Sequence, residues 1–172
     1  FMEHAAPEGS GAMSAVLGMD AAVIEDVLNG REGVSIANYN CPGQIVITGE
    51  AAAVAEAGTA LKEAGARRVL PLKVSGPFHS PMMRPAGEEL AKVFAGISMN
   101  PLKIPYVANI NAEVITDCGR IEGLLVDQVS GSVRWQQSVE TMIREGVDTF
   151  VEIGPGKTLT GFLRKIDKNV KA

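Results

Sequence analysis

Apolar positions along the chain alternate between two spacings, and each change of spacing predicts an element. Met13 to Leu17 reads as a short strand. Asp20 then stands where an N-cap belongs, ahead of a helical stripe of Val23, Ile24, Val27 and Leu28 that Asn29-Gly30 stops. Two β-branched runs follow, Val34 to Asn38 and Gln44 to Thr48, and the Pro42-Gly43 pair between them marks a hairpin. Val54, Ala57 and Leu61 share one face of an Ala-rich helix ending at Gly65. Val69 to Val74 is a last strand, placed at a sheet edge by Pro71. The order β-α-β-β-α-β over residues 11–74 is that of a ferredoxin-like unit.

Beyond Val74 helix and strand periods alternate. Ser80 to Ile97 is predicted as a helix with Leu90, Val93, Phe94 and Ile97 as its buried stripe. Ile104 to Ile110 reads as a strand, Ile121 to Val129 as a short helix, and Val133 to Glu145 as a longer one with Trp135, Val139, Met142 and Ile143 inward. Thr149 to Ile153 is a further strand and Thr158 to Ile166 a closing helix. The fold class is α/β. Two strands are too few for a covered sheet, so this half is expected to pair with chain not included in these residues.

Composition narrows the partners. With 16 Lys plus Arg against 20 Asp plus Glu the 172-residue chain carries −4, without the clustered cations of a nucleic-acid surface. Apolar residues at 46% and charged ones at 21% are enough to close a core and exclude intrinsic disorder. No run approaches the ~18 apolar residues of a membrane span. Cys41 and Cys118 lie far apart, without a CxxC and with two histidines to join them, so neither a disulfide framework nor a metal site is indicated. A reducing, cytoplasmic setting fits, and no cofactor is indicated. Phe1-Met2 resembles neither a signal peptide nor an initiator and is expected to follow a cut in a longer chain.

Five features are candidates for chemistry. Gly156-Lys157-Thr158 invites a P-loop reading, but Val151 stands where the first glycine is needed, leaving a tight strand-to-helix turn able at most to help hold an anion. His4, in a polar terminal stretch, is read as solvated. His79 follows a strand and a bend and opens a helix, where a side chain projects from a corner and either serves as a general base or is a plain turn histidine. Gln128 occupies the next apolar place on the Ile121, Leu124, Leu125 face, so it either caps its own helix or joins a polar site. Asn38 and Asn40 flank Tyr39 at the hairpin, where asparagines usually serve the turn.

Three strings taken together add a resemblance: Val74-Ser75-Gly76-Pro77-Phe78-His79-Ser80-Pro81-Met82-Met83, Asn40-Cys41-Pro42-Gly43-Gln44-Ile45-Val46-Ile47-Thr48-Gly49 and Glu152-Ile153-Gly154-Pro155-Gly156-Lys157-Thr158-Leu159. In this order the chain resembles the malonyl-CoA:acyl carrier protein transacylases of bacterial fatty-acid synthesis over nearly all its length. The resemblance implies serine-based acyl transfer from malonyl-CoA to the phosphopantetheine thiol of acyl carrier protein. It makes His79 the base, Gln128 the source of the main-chain carbonyl that orients it, Phe78 a wall near malonyl C2 and Asn40 part of the acyl cleft. The implied fold is an α/β-hydrolase-like large domain, represented by residues 1–10 and 75–172, with the ferredoxin-like subdomain at 11–74 inserted. The Gly-His-Ser-Leu-Gly elbow, the Gly-Gln-Gly-Ser-Gln loop and the carboxylate-binding arginine of that family are not in this sequence. The chain is therefore expected to be a C-terminal portion, partnered by the N-terminal portion of the same enzyme and inactive alone. Two other readings stay open: a non-catalytic fragment that packs on a partner chain, and the acyltransferase segment of a polyketide synthase.

Overall fold

The computed structural model describes residues 1–2, 5–7, 9–74 and 76–172; His4, read above as solvated, and Ser75 of the first string lie outside the described residues. The architecture is α/β. Strands β1 (Gly11–Leu17), β2 (Val34–Cys41), β3 (Gln44–Glu50) and β4 (Arg68–Pro71) form an antiparallel sheet in the order β2-β3-β1-β4. Helices α1 (Ala21–Leu28) and α2 (Ala51–Glu63) connect them.

Alternation along the strands decides which side faces the helices. Val16, Ile36, Tyr39, Ile45 and Ile47 point to one side and close a core with Ile24, Leu28, Val54 and Leu61. Each such fully buried aliphatic side chain contributes roughly 1.5–3 kcal/mol. Tyr39 keeps its hydroxyl satisfied by donating to Glu25 Oε1 at 2.7 Å, and burial, foremost, pushes its pKa up to about 12. Met13, Ala37 and Val46 point to the opposite side, where no helix of this unit lies, and pack with Ala15 and Phe78. Residues of β1 thus reach both the unit's own core and the segment that carries His79.

The remainder contains α3 (Arg84–Phe94), the two-residue strands β5 (Tyr106–Val107) and β6 (Val114–Ile115), α4 (Ile121–Ser130), α5 (Trp135–Arg144) and α6 (Thr158–Ile166). Met83, Ala86 and Val129 form the seam between α3 and α4, with Phe78 and Leu90 against it. Gly87 allows close approach there, because a Cβ would meet the Val126 carbonyl at 3.1 Å.

Several expectations are corrected. Asp20 stands at the N-cap of α1 but its side chain makes no cap hydrogen bond. The hairpin turn is only Pro42-Gly43, since β2 continues through Tyr39 and Asn40 to Cys41. The helix predicted from Ser80 begins as a 3₁₀ turn at Pro81–Met83, and α3 ends at Phe94. Its buried side is Met83, Ala86 and Gly87, whereas Val93 and Ile97 are exposed, because α4 lies on the small-residue face. The strand predicted at Ile104 to Ile110 shrinks to β5, and the segment Thr149 to Ile153 makes only a single parallel bridge, Thr149 to Lys171. Ile104 is 76% and Ile153 94% exposed, as befits β-prone runs with no neighbouring strand to pair with. No helix among the described residues is long and apolar enough to cross a membrane.

Candidate active site

His79 sits at a corner built by its neighbours. Pro77 is fully buried, and Gly11 at the start of β1 lies so close to its ring that any Cβ at position 11 would overlap it. Ser80, also fully buried, donates its hydroxyl to the Pro77 carbonyl at 2.7 Å and accepts from the Met82 amide at 3.3 Å. Closed from both sides, the corner holds His79 at φ +58°, a left-handed conformation that costs a residue with a Cβ roughly 1–2 kcal/mol. Backbone strain of this kind persists only where surrounding contacts over-determine it.

The ring meets the end of α4. A helix leaves its last four carbonyls without intrahelical partners, and Gln128 falls among them two residues before Ser130. Its main-chain oxygen lies 3.0 Å from His79 Nδ1. Because a carbonyl can only accept, Nδ1 carries a proton, and in the neutral ring the lone pair is then on Nε2. No hydrogen bond engages Nε2 among the described residues. The pair is thus a histidine held in one tautomer, with its basic nitrogen unoccupied.

The Gln128 side chain does something else. Its Nε2 donates forward to the carbonyls of Gly131 at 3.1 Å and Ser132 at 3.4 Å, while Oε1 is buried without a partner among the described residues. Both readings of Gln128 therefore contain part of the arrangement: the amide binds the loop after its own helix, and the peptide carbonyl meets the histidine.

Phe78 is half-buried and spans two apolar clusters, touching the helix-free side of the sheet and the α3/α4 seam. Asn40 lies in β2 at a shift in register between Tyr39 and Cys41, the kind of bulge that re-aims side chains. His79 and Gln128 meet directly and Phe78 packs beside them, whereas Asn40, on the edge strand β2, makes no hydrogen bond to any of the three. Pattern reading passed over Ser80 and Ser132; Ser80 immediately before Pro81 is the legible signal for the first, as a serine cap ahead of proline at a helix start.

The Gly156-Lys157-Thr158 turn is corrected too. The amides of Leu159 and Thr160, which open α6, donate to Glu152 Oε1 at 3.1 Å and Oε2 at 2.9 Å. An internal carboxylate occupies the place suggested for an anion. The Thr160 amide, foremost, holds the Glu152 carboxyl below its usual pKa. A lowered folded-state pKa stabilises above the unfolded value and is lost as pH falls through the folded one. The Leu159 and Thr160 amides should therefore be better protected from hydrogen exchange than in Glu152→Ala at neutral pH, with the difference persisting through the ordinary carboxylate range and lost only as pH falls through the lowered folded-state pKa; a difference that persists once the carboxyl is protonated would exclude the carboxylate clamp. Among the described residues no cluster of three or more His, Cys, Asp or Glu could hold a metal ion, and both cysteines are free.

Comparison with known proteins places this geometry in context. A family model described as acyl transferase domain matches residues 1–171. The malonyl CoA-acyl carrier protein transacylase of Bacillus subtilis (strain 168) is 45% identical over 175 residues, an alignment covering 99% of this chain and 55% of that protein. The solved malonyl CoA-acyl carrier protein transacylase from Clostridium perfringens superposes with a TM-score of 0.95 at 43% identity, over 99% of this chain and 54% of that one. A malonyl-transacylase solved in complex with its holo type II polyketide synthase acyl carrier protein gives 0.91 at 41% identity, over 99% and 56%. The chain spans about half the length of the curated relatives it matches.

Proposed function

Because this chain belongs to the acyl transferase domain family, we propose that it is the C-terminal portion of a malonyl-CoA:acyl carrier protein transacylase of fatty-acid synthesis, working in the cytoplasm. The observation that carries the reading is the His79 Nδ1 contact with the Gln128 carbonyl, which leaves Nε2 as a base. In the complete enzyme a serine from the N-terminal portion loses its proton to Nε2 and attacks the malonyl thioester carbonyl. The tetrahedral adduct collapses, the C–S bond breaks, and coenzyme A leaves as a thiol with the proton that His79 returns. The phosphopantetheine thiol of the carrier protein is then deprotonated by the same nitrogen, attacks the malonyl-serine ester, and the serine recovers its proton. No redox step and no cofactor enters.

In this reading residues 11–74 are a ferredoxin-like subdomain, and residues 1–10 and 75–172 belong to an α/β-hydrolase-like domain. The strand order β2-β3-β1-β4 supports the first assignment. The bare Ile104, Val151 and Ile153 support the second, because such runs call for strands of the N-terminal portion to cover them. Asn40 lines the acyl cleft from β2. Phe78 walls the space beside malonyl C2, so Phe78→Ser in the complete enzyme should raise use of methylmalonyl-CoA relative to malonyl-CoA by about 5- to 100-fold, the worth of one methyl-sized adjustment in a pocket. Competition between the two thioesters for transfer to holo carrier protein measures the ratio. An unchanged ratio in a folded variant would reduce Phe78 to packing between its two clusters, and a complete enzyme that loads no malonyl group at all would overturn the function.

A further inference from the structure

We infer that Ser132 and the side-chain amide of Gln128 are positioning residues that tie the His79 imidazole to strand β2; the inference rests on the reading of His79 as the base. Strand β2 is an edge of its sheet and so presents main-chain groups without strand partners. The loop after α4 uses them. Ser132 donates its hydroxyl to the Ile36 carbonyl at 2.6 Å, the Val133 amide donates to the Ala37 carbonyl at 2.7 Å, and the Tyr39 amide donates to the Val133 carbonyl at 2.9 Å. Gln128 then grips the same loop through the carbonyls of Gly131 and Ser132, and its own carbonyl receives His79 Nδ1. A continuous path therefore runs from Ile36 through Ser132 and Gln128 to the ring.

Capping alone does not account for these bonds. The end of α4 is already closed by the Gly131 amide donating to the Asp127 carbonyl at 2.9 Å, which needs neither side chain. The main-chain bonds of Val133 already lay the loop along β2; what the two side chains add is a tie one residue nearer the helix, from Ile36 through Ser132 and Gln128 to the turn that carries the acceptor. Helix ends fray, and an acceptor on a fraying turn would leave the base free to rotate. Misplacement of a reacting group on the ångström scale is costly in rate.

The complete enzyme provides the test. Ser132→Ala should lower kcat about 3- to 10-fold, the worth of one hydrogen bond, with KM for malonyl-CoA unchanged. Ser132→Thr, which keeps the hydroxyl, should restore it. Gln128→Met keeps the main-chain acceptor and should show a similar loss, and the double variant should be no worse than the poorer single one, as for members of one network. The His79 Nδ1–H proton resonance should broaden in the Ala and Met variants and stay sharp in the Thr variant. An unchanged kcat with an unchanged resonance would overturn the inference, and so would additive losses that follow thermal stability. Should the wild-type enzyme transfer no malonyl group, the functional reading fails, while the resonance still decides whether Ser132 and Gln128 position the ring.

Discussion

His79→Ala in the complete enzyme should lower kcat/KM for malonyl transfer by about 10²–10⁴, the usual contribution of a positioned general base. The size of the effect follows from the number of steps that pass through one nitrogen. In the proposed mechanism Nε2 takes the serine proton, protonates the departing thiol and deprotonates the incoming one, so its loss would slow both halves of the reaction. The substitution should leave the fold intact, because the ring is half-buried and its single hydrogen bond goes to a carbonyl at a helix end that water can also satisfy. Relief of the left-handed backbone is not expected, since alanine carries the same Cβ. Steady-state transfer of labelled malonate to carrier protein measures the loss. A folded variant with near-normal kcat/KM would remove His79 from the mechanism and with it the role given to the Gln128 carbonyl.

The 172-residue chain by itself should form no covalent malonyl ester when incubated with labelled malonyl-CoA, whereas the complete enzyme should form one before carrier protein is added. A base without its nucleophile can deprotonate but cannot hold the acyl group, and the sequence contains no Gly-x-Ser-x-Gly elbow. The effect is all or none, which makes it the sharpest division between a half-site and a self-sufficient transferase. Denaturing mass spectrometry reads it directly as an added malonyl mass. A labelled serine on the chain alone would overturn the split of base and nucleophile between the two portions of the enzyme.

Local pattern determined much of this protein. Period-two and period-3.6 spacing marked all four strands of the first sheet and both of its helices, because each element there buries its apolar face within the same 64-residue stretch. The hairpin at Pro42-Gly43, the stop at Gly65 and α6 at Thr158–Ile166 were legible for the same reason: turn chemistry and helix periodicity act over a few residues. His79 stood out by its place after a bend. The second half was less legible, because strand propensity becomes a strand only when a neighbour supplies hydrogen bonds. Ile104 to Ile110 and Thr149 to Ile153 have the composition but, apart from β5, not the neighbour. The stripe predicted for α3 held only in part: Leu90 packs against the seam, but Val93 and Ile97 are exposed because α4 docks on Ala86 and Gly87. Residue pattern did not show the contact at the site: it entered through the family resemblance, and its physical basis lies in the tertiary structure. The atom that meets His79 is a main-chain oxygen, which no residue type announces, and it is free only because Gln128 falls near the end of its helix. The bond from Ser132 to Ile36 joins residues 96 apart, and such a pairing exists only once β2 has become an edge and the loop after α4 has been laid along it.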